Sequence, residues 1–99
     1  MVILILEKAP TTLKGELTRW LLELRPGVFV GQVSALVREA LFERCRARIG
    51  QGGVLMLVPA QTEQGFRAIT AGRLSRELVD AEGLYLVRVP HKIDPSVPF

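Results

Sequence analysis

The stretch MVILILEKAPTTLKGELTRWLLELRPGVFVG, residues 1–31, decides the fold. Residues 2–6 form an apolar run without alternation, which ends at Glu7 and, three residues later, at Pro10. Such a run is typical of a strand that is buried on both faces, and proline cannot continue the ladder. The sequence therefore predicts a central first strand with Glu7 at its end.

A helix is predicted next, because apolar residues recur at helical spacing over residues 13–24. The predicted apolar stripe contains Leu13, Leu17, Trp20, Leu21 and Leu24. Trp20 is therefore expected in the core. Arg25-Pro26-Gly27 ends this helix, and residues 28–30 form a second short strand that stops at Gly31. The whole stretch reads as a βαβ unit.

The rest of the chain continues the alternation of strands and helices. A second apolar stripe predicts a helix over residues 33–49, with Cys45 packed in the core. Residues 54–60 and 66–71 predict a hairpin, residues 72–82 are polar and irregular, and residues 84–89 predict a last strand. Residues 90–99 hold three prolines and predict an extended tail.

This element order predicts an α+β fold. The expected architecture is a ferredoxin-like βαββαβ-type sandwich with an extra C-terminal strand, two helices lying on one face of an antiparallel sheet. The domain spans residues 1–89 and the tail residues 90–99. No helix is left to cover the apolar face of residues 66–71 and 84–89, so we expect a homodimer that packs sheet against sheet. In that dimer the last strand would add to the partner's edge.

Composition narrows the class of protein. Ninety-nine residues make one domain, and a hydrophobic content of 48% with a mean hydropathy of +0.28 favours a surface covered by a second subunit. The chain has no apolar run of about 18 residues and no signal-peptide pattern, and Cys45 is its one cysteine. These features predict a cytoplasmic protein that does not enter a membrane. The net charge of +3 is mildly basic and comes mostly from arginine, which suits phosphate contacts.

The segment WLLELRPGVFVG, residues 20–31, resembles the signature of the type I-E form of CRISPR-associated protein two. Further similarity lies in Val33-Ser34-Ala35 at the start of the second helix, in residues 62–66 (TEQGF), and in residues 80–86 before the last strand. The resemblance covers residues 1–89 in order and spacing. A WLLE helix alone would be weak evidence, whereas the ordered set is specific.

The resemblance implies a homodimer that bridges two dimers of its partner integrase, CRISPR-associated protein one. Together they capture foreign DNA and insert it into the CRISPR array. The smaller protein would hold the middle of the double-stranded DNA by its backbone, without reading sequence. Its C-terminal strand would dock on the integrase, which implies a partner-binding segment made of Leu84, Tyr85, Leu86, Val87, Arg88 and Val89. Many members are also described as metal-dependent endonucleases acting on RNA or double-stranded DNA.

The family's functional residues carry over unevenly. In most members the first strand ends in an aspartate that two dimer mates use to hold one Mg²⁺; here the position is Glu7, which would be the catalytic residue and metal ligand. Two basic residues near the start of the first helix touch phosphates in the type I-E pattern, and this chain has Thr12 and Lys14 there. Paired arginines before the last strand become Ser75 and Arg76.

Four cations are therefore the expected nucleic-acid contacts: Lys14, Arg19, Arg73 and Arg76. The alternative is that they are ordinary surface charges. For Glu7 the alternative to a magnesium ligand is a strand-end carboxylate paired with Lys8 or Arg25. One carboxylate per chain reaches octahedral oxygen coordination only across a dimer axis, which favours a structural role for Glu7.

Three functions follow from the sequence. The first is a dimeric DNA-binding adaptor of spacer acquisition. The second is an endonuclease that uses Mg²⁺ and paired Glu7 carboxylates. The third is a ferredoxin-like RNA-binding or regulatory module, which an exposed aromatic pair on the sheet would favour; the strand sequences suggest no such pair.

Overall fold

The computed structural model describes residues 1–81 and 84–88. The elements over these residues are β1 (Val2–Glu7), α1 (Thr11–Leu17), β2 (Leu22–Arg25), β3 (Val28–Gly31), α2 (Ala35–Arg48), β4 (Gly53–Pro59), β5 (Phe66–Gly72), β6 (Glu77–Ala81) and β7 (Leu84–Arg88). Neither of the helices found there has the length and apolarity needed to cross a membrane.

The main sheet is antiparallel and has the strand order β2-β3-β1-β4-β5. β1 lies in its centre, as the sequence predicts, with Leu4 opposite Phe29 on one side and Met56 on the other. Helices α1 and α2 follow β1 and β3. This order is compatible with the predicted ferredoxin-like arrangement, to which β5 adds one edge strand. β6 and β7 form a separate two-stranded sheet.

The core lies between the helices and one face of this sheet. Strand residues alternate between the faces, so Val2, Leu4 and Leu6 point together into the core. They pack with Phe29 from β3, Met56 from β4 and the buried side chains of the two helices, and the cluster has almost no exposed surface. Because burial of apolar area drives folding, this layer fixes which face of β1 is inward.

The opposite side, here called the open face, also carries apolar side chains. It consists of Ile3, Ile5, Val28, Val30, Leu55 and Leu57. Apart from Leu55, these residues are only half-buried in the single chain. β1 is therefore less buried on its second face than the sequence predicts. The difference arises because both helices pack against the same side of the sheet.

The first helix is shorter than predicted. It ends at Leu17, where the Thr18 hydroxyl donates to the Gly15 carbonyl at 2.6 Å, and the chain then turns into β2. Residues 22–25 also fit the alternation of a strand. Their pairing with β3 gives hydrogen-bond partners to backbone groups of β3 that a longer first helix would leave unpaired. As a result Trp20 and Leu24, predicted in the core, are 54% and 60% exposed.

The hairpin between β2 and β3 turns at Pro26-Gly27. Gly27 has a φ of 82°, and its carbonyl accepts a hydrogen bond from the Leu6 amide at 2.8 Å. Proline followed by a residue with positive φ is the requirement of a type II turn. The glycine predicted to end a helix therefore closes a hairpin instead, because β3 offers an edge for residues 22–25.

The C-terminal part also differs from the prediction. The segment expected to be irregular contains β6, which pairs with β7. The predicted addition of the last strand to a partner's edge stays a prediction. On the other edge of β7, the Gln64 side chain bonds both the amide and the carbonyl of Tyr85, at 2.6 and 3.1 Å. The Tyr85 hydroxyl accepts from the Ala68 amide at 3.1 Å. These contacts hold the β6–β7 hairpin beside β5.

Helix α2 is close to its predicted bounds. The Ser34 hydroxyl caps its start by accepting from the Val37 amide at 3.2 Å. Cys45 is fully buried, as predicted, and burial raises the pKa of its thiol to about 11. Leu36, predicted on the apolar stripe, is 78% exposed, whereas Phe42 is buried.

One carboxylate links the two helices. Glu16 on α1 accepts from Arg44 Nε at 2.5 Å and lies 2.7 Å from Arg48 Nη1, both on α2. The hydrogen bond from Arg44, followed by that from Arg48, lowers the pKa of Glu16 to about 2. This ion-pair group fixes α1 against α2 at the protein surface.

We expect the contribution of Glu16 to stability to disappear in acid. A carboxyl whose folded-state pKa is lowered stabilises the fold above its unfolded value of 4.5, and this contribution is lost as the pH falls toward about 2. The melting temperature of Glu16→Gln should therefore lie below that of the wild type at pH 7, and the two should converge near pH 2. Glu39→Gln measures the general effect of removing an exposed charge, and a constant difference for Glu16→Gln across this range would contradict the expectation.

Candidate functional site

Glu7 lies at the end of β1, half-buried, and both its carboxylate oxygens accept hydrogen bonds from one residue. The Ser75 amide donates to Oε1 at 2.7 Å, and the Ser75 hydroxyl donates to Oε2 at 2.6 Å. The predicted alternative partners, Lys8 and Arg25, make no ion pair with Glu7 in the described part of the chain. Glu7 thus ties the end of β1 to the connection between β5 and β6.

Close backbone approach builds this corner of the molecule. A Cβ at Gly52 would lie 2.0 Å from the Glu7 carbonyl oxygen, so only glycine fits where the chain enters β4. The Gly52 carbonyl accepts from the Arg73 amide at 2.9 Å. Lys8 has a φ of 54°, a conformation that non-glycine residues adopt rarely and that is found most often at turns and functional sites.

A pocket of about 210 Å³ opens at this corner. Its lining combines Glu7 and Ser75 with two cationic side chains, Lys8 and Arg73, together with Gln51 and Leu74. Arg76 is exposed one residue beyond Ser75. Within residues 1–81 and 84–88, no ion pair involves Lys8, Arg73 or Arg76. Their charges therefore face solvent uncompensated.

The starts and ends of the helices add further cations nearby. Lys14 is one turn into α1, which begins four residues after Glu7. The Arg48 guanidinium reaches from the end of α2 to the Thr12 hydroxyl at 3.0 Å. We call the set Lys8, Lys14, Arg48, Arg73 and Arg76 the basic end.

Arg19 is not part of the basic end. It follows the C-terminal end of α1, whose seven residues span about 10 Å. There it lines a separate hollow of about 250 Å³ with Trp20, Glu16 and Arg44. Of the four predicted nucleic-acid contacts, Arg73 lines the pocket beside Glu7 and Arg76 follows Ser75, whereas Lys14 lies on α1 and Arg19 lines the separate hollow.

The residues of one chain do not fit a magnesium ion. Mg²⁺ requires near-octahedral oxygen coordination, but among the described residues Glu7 is the only carboxylate that lines the pocket, and both its oxygens already accept hydrogen bonds from Ser75. No group of three or more His, Cys, Asp or Glu side chains comes together in the described residues. The predicted sharing of Glu7 between two chains stays a prediction.

The predicted partner-binding segment forms β7 and presents apolar side chains to solvent. Leu86 and Val87 are 56% and 58% exposed, while Leu84 and Tyr85 are half-buried. Arg88 ends the strand. Val89 and the predicted tail, residues 90–99, lie outside the described residues. The role of this segment in partner docking stays a prediction.

The structure also contains an aromatic pair that the strand sequences did not suggest. Phe66 on β5 and Tyr85 on β7 stack with ring centroids 5.7 Å apart and planes 13° from parallel. Both rings are half-buried and face each other. Their mutual stacking anchors the β6–β7 hairpin, so the pair does not offer the free ring faces that an RNA base would need.

Sequence reasoning missed three participants of this corner. The sequence indicates Ser75 only as a position where the family pattern has an arginine, and it does not indicate Lys8 or Gln51 as site residues. Glu7 and Ser75 are 68 residues apart, and no local pattern links them. Only the positive φ of Lys8 marks the corner as unusual, and that conformation is not visible in the sequence.

Comparison with protein-family models gives a match that accounts for most of the chain. The model of the family described as CRISPR-associated protein (Cas_Cas2CT1978) matches residues 1–86. This range contains both helices, the five-stranded sheet and every residue of the basic end. The chain therefore belongs to the CRISPR-associated protein (Cas_Cas2CT1978) family.

Proposed function

We propose that this protein is a DNA-binding adaptor of spacer acquisition, of the type I-E form of CRISPR-associated protein two. It acts in the cytoplasm as a homodimer, bridges dimers of the integrase, CRISPR-associated protein one, and holds double-stranded DNA by its phosphate backbone. The integrase docks on the segment of β7. Family membership supports the CRISPR context, and the basic end supports the DNA contact.

One observation carries the choice of an adaptor over an enzyme. Lys8, Arg73 and Arg76 form no ion pair among the described residues, and Glu7, the carboxylate in the pocket that Lys8 and Arg73 line, accepts hydrogen bonds from Ser75 at both its oxygens. Cations without an ion-pair partner attract phosphates, and contact with phosphates is independent of sequence. A hydrolytic centre needs groups that activate water or coordinate a metal, and among the described residues that line the pocket Glu7 is the one carboxylate.

The open face supports the homodimer. Its half-buried apolar residues form a continuous layer across β3, β1 and β4 on the side away from the helices. At the edge of this layer, Met1, Ile3, Leu57 and Phe66 line a shallow apolar hollow of about 170 Å³. Large contiguous apolar surfaces are rare on monomeric proteins. Packing two open faces together would bury both without new helices.

We expect affinity for double-stranded DNA to be independent of sequence and to depend strongly on salt. Lys14→Gln, Arg73→Gln and Arg76→Gln should each reduce the slope of log affinity against log salt by about 0.9, because each removes one phosphate contact. The measurement is fluorescence anisotropy with labelled duplexes of two unrelated sequences at several salt concentrations.

Arg67→Gln is the matched control for these variants. Arg67 is exposed on β5 and lies six residues before Arg73, roughly 20 Å away along the strand. Its replacement should leave the slope unchanged. If all four variants have the same salt slope as the wild type, the basic end does not contact phosphates. Cleavage of DNA or RNA by the wild type in Mg²⁺, abolished by Glu7→Gln, would favour the endonuclease.

A further inference from the structure

We infer that Glu7 and Ser75 form a positioning pair that holds residues 73–76, so that Lys8 and Arg73 flank the neighbouring pocket as a phosphodiester-binding subsite. This inference rests on the proposed function and deepens it, since it assigns a new role to Glu7 and adds Lys8 and Gln51 to the DNA contact. Glu7 acts here through another segment and touches no reacting atom.

The hydrogen bonds show how the segment is held. Residues 73–76 connect two strands that belong to different sheets, so the ladder does not fix them. Two anchors replace it: the Arg73 amide bonds the Gly52 carbonyl at 2.9 Å, and Ser75 bonds Glu7 twice. The partners of these anchors are the carbonyl of Gly52, which directly precedes β4, and the side chain of Glu7, the last residue of β1. Each arginine is therefore at most one residue from a fixed point.

The chemistry of the pocket points to an anion. Lys8 and Arg73 each carry a positive charge without an ion-pair partner among the described residues, and Gln51 adds an amide donor. Both Glu7 oxygens accept hydrogen bonds from Ser75, and Glu7 forms no ion pair with either cation in the described part of the chain. Lysine as a point charge and arginine as a fork of donors are both suited to phosphate oxygens.

The substitutions at Glu7 separate a positioning residue from a metal ligand. Glu7→Gln keeps an oxygen for the Ser75 amide and offers an NH₂ group to the Ser75 hydroxyl, which can accept as well as donate. Glu7→Ala removes both bonds, and Ser75→Ala removes the hydroxyl bond alone. We expect DNA affinity to fall about tenfold in Glu7→Ala, about threefold in Ser75→Ala, and less than that in Glu7→Gln. Lys8→Gln should lower the salt slope by about 0.9.

A double-substitution cycle tests whether Glu7 acts through the segment. Ser75→Ala should weaken binding little further when combined with Glu7→Ala, and Arg73→Gln should lose part of its effect on that background. Additive losses would indicate general destabilisation and would overturn the positioning role. Glu39→Gln, a carboxylate on the exposed side of α2, is the matched control and should bind DNA as the wild type does.

Hydrogen exchange of the Ser75 amide provides a readout that needs no DNA. Exchange at this amide should become faster in Glu7→Ala, while amides in the centre of β1 and β4 keep their protection. Unchanged exchange at Ser75 in Glu7→Ala would overturn the positioning pair, even if the wild type binds DNA. The positioning pair would also be overturned if Glu7→Gln lowered DNA affinity as much as Glu7→Ala while Ser75→Ala left it unchanged. A wild-type chain that binds no DNA would instead overturn the proposed function and the phosphodiester-binding subsite. The exchange rate of the Ser75 amide would still show whether Glu7 and Ser75 form a positioning pair.

Discussion

Leu57→Glu is expected to convert a dimer into a monomer and thereby abolish bridging. Leu57 is half-buried on the open face, between Ile3 on β1 and Ala68 on β5. In a symmetric dimer the substitution occurs twice, and each copy replaces about 2 kcal/mol of apolar burial by a charge that has no partner. The combined loss of about 4 kcal/mol or more weakens association at least about a thousandfold.

Light scattering after size exclusion measures this effect directly. The wild type should show twice 11.0 kDa at micromolar concentration, and Leu57→Glu should show 11.0 kDa. Leu36→Glu is the matched control, because Leu36 is 78% exposed on α2 and away from the open face, so its mass should equal that of the wild type. Circular dichroism establishes that each variant folds. A wild type that elutes as a monomer would contradict the homodimer.

Gly52→Ala should disrupt both the fold and the basic end. Its Cβ would lie 2.0 Å from the Glu7 carbonyl oxygen and 2.8 Å from that of Lys8, and backbone atoms cannot move aside as a flexible side chain can. Displacing the end of β1 costs about 3 kcal/mol or more, a large share of the total stability of a small domain. We expect a melting temperature about 10 °C lower or more, together with faster exchange at the Ser75 amide.

Gly15→Ala is the control for this substitution. A Cβ at Gly15 meets nothing within 4 Å, and the residue lies inside α1. Alanine there should raise the stability by about 0.5–1 kcal/mol, because it restricts the unfolded chain and favours the helix. Thermal unfolding followed by circular dichroism compares the two variants. Equal effects at Gly52 and Gly15 would show that the close approach at the end of β1 does not constrain this position.

Apolar patterning was enough to predict most elements, and it failed where two periodicities overlapped. For the runs that became β1, α2, β4 and β5, the predicted and observed bounds differ by at most two residues. Residues 20–25 fit both a helix and a strand. The strand forms because the edge of β3 needs hydrogen-bond partners, and this need is a property of the assembled sheet.

The candidate site shows the same division. The position of Glu7 at a strand end and the basic residues Arg73 and Arg76 are readable from sequence, because a strand end and a polar connection are local features. That Ser75 engages Glu7, and that Arg19 lies apart from the basic end, depends on how separate elements meet. Residues far apart in sequence carry no mark of their contact when each is an ordinary polar residue.

By itself, the sequence determined the α+β class and the central position of β1, and it placed Glu7 at the end of that strand. Burial of apolar side chains is the dominant force in folding, and its periodicity is written directly in the chain. The tertiary structure alone decided that the first helix stops at Leu17 and that Glu7 anchors residues 73–76. Both outcomes follow from backbone groups that require hydrogen-bond partners, and those partners exist only once the sheet has assembled around Gly52.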